Sequence, residues 1–221
     1  MSQSVSERLR QAAAPIWEKC LRHPFVTAIG DGTLPVEKFQ YFMLQDYLYL
    51  FDYAKVFALG VVKAQDRALM QTFAKNVDAI LGGEMNIHRA YMERLGITEE
   101  QVFAVKPALD NTSYTHYMLA VAESGSPMEI VASILSCSWS YAEIGQALAK
   151  LPGAADHPFY GEWVRSYASD DYAATNQALI DLMDTLAEGA SDAQLAHLTD
   201  IFVNCSRYEL GFWDMAWEMR P

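Results

Sequence analysis

Apolar residues recur every three or four positions along almost the whole chain, which is the spacing of an amphipathic helix. Val, Ile and Thr do not alternate with polar residues in runs bounded by turns, so the pattern predicts no strands. We therefore expect an all-α protein, a helical bundle of about seven or eight helices. The longer helices are predicted at about residues 6–21, 33–65, 66–95, 112–123, 126–151, 157–167, 170–188 and 192–218.

Glycines and capping residues mark where these helices bend, begin and end. Gly82 and Gly83 predict a kink in the helix over 66–95, and Gly96 lies where a helix commonly ends in left-handed geometry. Short motifs with the form of a capping box begin at Thr98, Ser126 and Ser191. No repeat or long linker interrupts the sequence, so we expect one helical domain over residues 1–221.

The composition excludes several classes of protein. Hydrophobic residues make up 52% of the 221 residues and charged residues 20%, which is too apolar for a disordered chain. The formal net charge of −12 is unfavourable for binding nucleic-acid phosphates or an anionic membrane surface. Apolar runs are all shorter than the roughly 20 residues that span a membrane. We expect a small-molecule ligand, and neither nucleic acid nor membrane as a partner.

The three cysteines, Cys20, Cys137 and Cys205, are too few and too widely spaced for a disulfide framework. The N-terminal segment has no long apolar stretch of the kind found in secretory signals. We therefore expect thiols, and a protein of the reducing cytoplasm.

Cys137 lies on an apolar stripe of the helix over 126–151. Steps of four and three residues place it on one face with Ile130, Ile134, Tyr141, Ile144 and Leu148. A lone cysteine in such a stripe is most often a small buried hydrophobe. The nearby Trp139, Tyr141 and Glu143 make a nucleophile the alternative. The pattern alone leaves both interpretations open.

Carboxylates interrupt the apolar stripes of two further helices. Glu209 falls among Leu198, Ile201, Cys205, Phe212 and Ala216, and Asp46 among Phe39, Phe42, Tyr49, Tyr53 and Phe57. Buried carboxylates are rare unless a partner compensates their desolvation. In a purely structural role, Glu209 would pair with a neighbouring cation and Asp46 would accept a hydrogen bond from a tyrosine hydroxyl. The functional alternative is a ring-lined cavity for a flat aromatic ligand that carries nitrogen.

A metal site is the other chemistry to consider. Glu84 and His88 are spaced i,i+4 on one helix, and Glu143 is a third candidate ligand, a set that partly resembles helical di-iron sites. Such sites need about two histidines and several carboxylates that converge. We therefore favour an ordinary Glu84–His88 pair on one helix face, and we expect no metal and no other cofactor.

Several motifs are spread over nearly the whole chain: HPFVTAIGDGTLP (23–35), FQYFMLQDYLYL (39–50), GGEMNIHRAY (82–91), SYTHYM (113–118), SCSWSYAEIG (136–145), HPFYGEWVRSYASDDY (157–172) and SRYELGFWDMAW (206–217). In their order and spacing they resemble the TenA family, thiaminase II. The resemblance implies a haem-oxygenase-like fold without haem, assembled as a homotetramer. It also implies hydrolysis at the pyrimidine methylene carbon of thiamin or of 4-amino-5-aminomethyl-2-methylpyrimidine. The product, 4-amino-5-hydroxymethyl-2-methylpyrimidine, would re-enter thiamin synthesis.

The resemblance also implies roles for individual residues. Cys137 matches the family nucleophile, Glu209 its acid/base carboxylate, and Asp46 the carboxylate that holds the ring. The aromatic residues of the site are matched by the tyrosines Tyr114, Tyr141 and Tyr167 and by the ring-packing Tyr49 and Phe212.

As a hypothesis, the Cys137 thiolate adds to the pyrimidine ring, thiazole or ammonia leaves, water adds to the methylene carbon, and the thiolate is expelled. An ordinary thiol is mostly protonated at neutral pH, so a base must take its proton, and Asp46 is the candidate. Glu209 would protonate a ring nitrogen. The rival hypotheses are a metal-dependent oxygenase that uses the candidate ligands named above, and a thiamin-pyrimidine binding protein without catalysis. The choice among thiamin, the aminomethyl pyrimidine and its formyl derivative stays open.

Overall fold

The computed structural model describes residues 3–221, of which 81% are helical and none lies in a strand. This confirms the predicted all-α class. None of the helices within 3–221 combines the length and the apolar character of a membrane span. The α-helices are α1 (Val5–Leu21), α2 (Pro24–Gly30), α3 (Val36–Lys63), α4 (Arg67–Asp78), α5 (Met85–Arg94), α6 (Glu99–Ala104), α7 (Leu109–Ser124), α8 (Pro127–Ala149), α9 (Gly161–Ala168), α10 (Asp170–Leu186) and α11 (Asp192–Glu218).

The predicted capping residues define three helix starts. Thr98, Ser126 and Ser191 directly precede α6, α8 and α11, and the main-chain N–H of each donates to the Glu or Gln three residues later. Gly96 follows α5 with a φ of 68°, a left-handed conformation that favours glycine. Local sequence chemistry therefore accounts for these boundaries.

Two features differ from the predicted helices. The helix expected over 66–95 consists of α4 and α5, joined by a π-helical turn at Ala79–Glu84. Gly82 and Gly83 lie in this turn, so the predicted kink takes the form of a wider helical turn. The sequence predicted no helix where α2 forms. A proline suits the first position of a helix, and His23 Nδ1 accepts the N–H of Phe25 there.

The chain divides into two compact units. The first consists of the chain up to Leu34 together with Val131–Asp214, and the second of Pro35–Ile130 and Met215–Pro221. Helices α8 and α11 contribute residues to both units. The single domain expected over residues 1–221 stays a prediction.

Aromatic side chains fill the core of each unit. In the first, the ring of Trp213 lies 5.5 Å from that of Phe25 and 5.3 Å from that of Tyr141. In the second, the rings of Phe39 and Tyr91 are 5.0 Å apart. Burial of rings of this size is a large source of stability in a helical protein.

Candidate active site

Cys137 lies in the middle of α8, on the stripe that the sequence predicts. The other members of the stripe, Ile130, Ile134, Tyr141, Ile144 and Leu148, are all buried. Cys137 itself is half-buried. The inward face is therefore confirmed, and Cys137, unlike the other members of the stripe, keeps some exposure to solvent.

Hydrogen bonds around a buried serine hold α8 to α11 beside this thiol. Ser206 Oγ donates its single proton to the carbonyl oxygen of Phe202, at 2.9 Å. It therefore accepts hydrogen bonds from Ser136 Oγ and from Trp17 Nε1, both at 2.9 Å. Because Ser136 directly precedes Cys137, this junction fixes the turn of α8 that carries the thiol.

The other two cysteines are buried thiols in the same unit. Burial, with the negative charge of Glu209 as a smaller cause, raises the pKa of Cys20 to about 12. The same two causes raise the pKa of Cys205 well above its usual range. Neither thiol is therefore suited to form a thiolate at neutral pH.

Alkylation at pH 7.5 is expected to distinguish the three cysteines. Iodoacetamide should modify Cys137 at least about tenfold faster than Cys20 or Cys205, because the thiolate is the reactive form and the other two thiols are buried. Peptide mass spectrometry after timed quenching measures the three rates. Equal rates at all three cysteines, in protein that keeps its helical circular dichroism, would contradict this expectation.

Glu209, one of the carboxylates of α11, is 2% exposed. Its predicted stripe is buried throughout, so Glu209 lies within an apolar face and not at its edge. The negative charge of Glu209 contributes to the raised pKa of Cys20 and of Cys205. Phe212, nearly one turn further along α11, is also buried.

Tyr141 and Tyr167 lie together in the first unit. Their ring centroids are 5.0 Å apart, and Trp163 packs on Tyr167 at 4.8 Å. Gly145 of α8 permits this packing, because a Cβ at that position would lie 2.6 Å from the main-chain carbonyl carbon of Tyr167. The position of Tyr167 thus depends on the missing side chain of Gly145.

Gly145→Ala is expected to lower the free energy of unfolding by about 2 kcal/mol, because the main chain at Tyr167 must move away from the new methyl group. Urea denaturation measures the change. Gly83→Ala is the matched control, since a Cβ there meets nothing within 4 Å. It should leave stability unchanged or raise it by up to about 1 kcal/mol. Equal stability of the two variants would contradict the close packing of Gly145 against Tyr167.

In the second unit, the carboxylate of Asp46 on α3 is bonded to His88 of α5. Asp46 Oδ2 lies 2.7 Å from His88 Nε2, and the other ring nitrogen, Nδ1, lies 3.0 Å from the carbonyl oxygen of Glu84. Desolvation lowers the pKa of His88, but the bond and charge of Asp46, together with Glu84, outweigh it and raise the pKa above its usual value. The partner of Asp46 is therefore a histidine and not a tyrosine hydroxyl.

Gln45, the neighbour of Asp46, holds α3 to α7. Its side-chain oxygen accepts the main-chain N–H of Ala108 at 2.9 Å, and its main-chain oxygen accepts Asn111 Nδ2 at 2.7 Å. These bonds bring two predicted tyrosines together, with the rings of Tyr49 and Tyr114 5.3 Å apart.

The candidate metal ligands contact other groups of the protein. Glu143 accepts two hydrogen bonds from Arg10, at 2.7 and 2.6 Å. His88 contacts Asp46 and the main-chain carbonyl oxygen of Glu84, and the charge of Glu84 also acts on it. Across residues 3–221, no group of three or more His, Cys, Asp or Glu side chains is placed to hold a metal ion.

The predicted site residues fall into two groups, one in each unit. The first unit holds Cys137, Tyr141, Tyr167, Glu209 and Phe212, and the second holds Asp46, Tyr49 and Tyr114. Sequence reasoning considered His88 only as a metal ligand or as the partner of Glu84, and it missed the contact of His88 with Asp46. The available signal was the place of His88 on a buried stripe with Met85 and Met92, at steps of three and four residues.

Comparison with known proteins relates this chain to one family. The profile of the TENA/THI-4/PQQC family matches residues 10–219. The aminopyrimidine aminohydrolase of Halalkalibacterium halodurans is 50% identical over 217 residues, which cover 98% of this chain and 97% of the relative. A protein of the same name from Helicobacter pylori is 46% identical over 214 residues, which cover 97% and 99%.

Solved structures agree with this relationship. A TenA homologue from P. horikoshii OT3 superposes with a TM-score of 0.90 at 32% identity, covering 98% of this chain and 99% of that one. A domain of unknown function with a heme oxygenase-like fold, from Shewanella denitrificans OS217, superposes with a TM-score of 0.76 at 17% identity, covering 96% and 91%. The second likeness concerns the fold alone and confirms the predicted haem-oxygenase-like architecture. The profile match over residues 10–219 shows that the chain belongs to the TENA/THI-4/PQQC family.

Proposed function

We propose that this chain is an aminopyrimidine aminohydrolase, or thiaminase II, that salvages the pyrimidine of thiamin. The observation that carries the proposal is the 50% identity, over 217 residues, to a relative of that name. A half-buried thiol at Cys137 and buried carboxylates at Glu209 and Asp46 support it, because the proposed chemistry needs a nucleophile and acid/base groups.

In the proposed reaction, water replaces the amine on the methylene carbon of 4-amino-5-aminomethyl-2-methylpyrimidine. The Cys137 thiolate forms a C–S bond to the ring, and the methylene C–N bond breaks as the amine takes up a proton and leaves as ammonia. Water then adds to the methylene carbon and loses a proton. The C–S bond breaks last, which restores the aromatic ring and the thiolate. Thiamin would react in the same way, with thiazole as the leaving group.

The remaining site residues bind the ring and move protons. Glu209 is proposed to protonate a ring nitrogen, which makes the ring a better acceptor for the thiolate. Asp46 is proposed to hold the ring through an N–H of the pyrimidine. The identity of the base that takes the Cys137 proton, for which the sequence suggested Asp46, stays a prediction. The rings proposed to pack around the pyrimidine are Tyr49, Tyr114, Tyr141, Tyr167 and Phe212.

On the basis of the family resemblance, we also propose that the chain assembles as a homotetramer and that it works in the reducing cytoplasm. The three cysteines are thiols, which suits a reducing compartment. Light scattering coupled to gel filtration should give about 99 kDa for four chains of 24.8 kDa. A mass of one chain at micromolar concentration would contradict the assembly and leave the proposed reaction unaffected.

Separate incubation with thiamin, with the aminomethyl pyrimidine and with its formyl derivative tests the proposed activity. Liquid chromatography with mass detection should find the hydroxymethyl pyrimidine with at least one of the first two, and the rates rank the substrates. Binding without turnover of any of the three would instead support the non-catalytic binding protein.

A further inference from the structure

His88 contacts Asp46, yet the reaction proposed above gives it no role. The two side chains are 1% and 6% exposed, so the 2.7 Å contact between them lies in the protein interior. The second contact of the ring, 3.0 Å to the carbonyl oxygen of Glu84, is made where the π-helical turn ends. Such turns are frequent at functional sites. The imidazole is thus held at both of its nitrogens.

Both ring nitrogens of His88 act as donors. A carbonyl oxygen only accepts hydrogen bonds, so Nδ1 carries a proton toward Glu84. A carboxylate oxygen, such as Asp46 Oδ2, also only accepts, so Nε2 carries the second proton. His88 is therefore a buried imidazolium, in agreement with its raised pKa. Hydrogen bonds between two charged groups are shorter and stronger than neutral ones.

The bond to His88 uses only one oxygen of Asp46. The other, Oδ1, accepts no hydrogen bond from any residue within 3–221. An oxygen of a largely buried carboxylate needs a donor, from water or from a ligand. An N–H of a bound pyrimidine is a donor of this kind.

We propose that His88 is a positioning residue that holds Asp46 Oδ2, so that Oδ1 is presented to an N–H of the aminopyrimidine. The inference rests on the proposed function, in which Asp46 holds the ring. His88 acts through Asp46 and does not touch the substrate. Its loss is therefore expected to weaken pyrimidine binding, which raises KM and Kd and leaves kcat nearly unchanged.

Two substitutions separate the two hydrogen bonds of His88. The amide nitrogen in His88→Gln can take the place of Nε2 and keep the bond to Asp46. The amide nitrogen in His88→Asn can take the place of Nδ1 and keep only the bond to Glu84. We expect His88→Asn to raise the KM for the aminomethyl pyrimidine and the Kd for the hydroxymethyl pyrimidine by about 10- to 100-fold. For His88→Gln the increase should stay below about fivefold.

The proposal is tested by comparing the changes in KM and Kd between His88→Asn and His88→Gln. Equal losses in both, unchanged values in both, or a loss confined to His88→Gln would each overturn it, because none of these follows the bond to Asp46. If the wild-type protein turns over the pyrimidine and the variants give one of these three results, the role of His88 is wrong and the proposed function still stands. A wild-type protein that neither turns over nor binds the pyrimidines overturns the proposed function, and this inference with it.

A measurement on the wild-type protein covers the case in which the variants do not fold. Nitrogen-15 NMR of labelled histidine distinguishes a doubly protonated ring from a neutral one. At pH 7, both ring nitrogens of His88 are expected to carry protons. A ring whose Nε2 carries no proton would overturn the proposal, because Nε2 could then not donate to Asp46.

Discussion

Cys137→Ser is expected to lower kcat for release of the hydroxymethyl pyrimidine by at least about 10³-fold, as is typical for loss of a catalytic nucleophile. A serine hydroxyl is scarcely ionised at neutral pH, whereas a thiol yields a useful fraction of a strongly nucleophilic thiolate. Serine is close in size to cysteine, so the Kd for the product should change by less than about threefold, or about 0.7 kcal/mol. Single-turnover kinetics and calorimetry give the two quantities.

Cys20→Ala is the matched control for this substitution. It removes a buried thiol of the same unit whose pKa is already about 12, so turnover should stay within several-fold of wild type. Full turnover by Cys137→Ser would contradict covalent catalysis at this position. Loss of binding with no specific loss of kcat would make Cys137 a packing residue, which is the alternative that its apolar stripe left open.

Asp46→Ala is expected to lower the free energy of unfolding by about 3 kcal/mol at pH 6, because it leaves the buried charge of His88 without its partner. Urea denaturation of both proteins measures the loss. Asp52→Ala, on the same helix, is the control. Asp52 pairs with Lys55 at 2.7 Å, but Lys55 is 65% exposed and Asp52 28% exposed, so its removal should cost less than about 1 kcal/mol.

The decrease in the free energy of unfolding caused by Asp46→Ala should also become smaller as the pH rises. Asp46 and Glu84 raise the pKa of His88 in the folded protein above its value of about 6.5 in the unfolded chain. The stability that this contributes is fully present below pH about 6.5 and is lost as the pH rises through the folded-state pKa. The difference between wild type and Asp46→Ala should therefore be larger at pH 6 than at pH 9. A larger difference at pH 9 would contradict the assignment of the charge to His88.

Much of the fold could be predicted because its determinants are local. The apolar spacing around Cys137 and Glu209 places both on buried faces whatever the neighbouring helices are, and the structure confirms both faces. The cap at Ser191 likewise defines the first turn of α11 from adjacent residues. The π-helical turn at Ala79–Glu84 was indicated only as a kink, because a glycine pair permits several local geometries.

The pairing of Asp46 with His88 could not be predicted in the same way. The two residues are 42 positions apart and lie on different helices, so their contact is a consequence of packing. The i,i+4 spacing of Glu84 and His88 suggested a pair within one helix instead. The assignments of Cys137 and Glu209 to chemical roles came from the family motifs, since an apolar stripe indicates burial and not reactivity.

Hydrolysis of the aminomethyl pyrimidine in ¹⁸O-labelled water tests the central claim, that this chain cleaves an aminopyrimidine C–N bond with water, most directly. The wild-type protein is expected to release one ammonia for each hydroxymethyl pyrimidine formed, with the label in the new hydroxyl group. Absence of ammonia and product at micromolar enzyme, in protein that binds the pyrimidine, would contradict the claim.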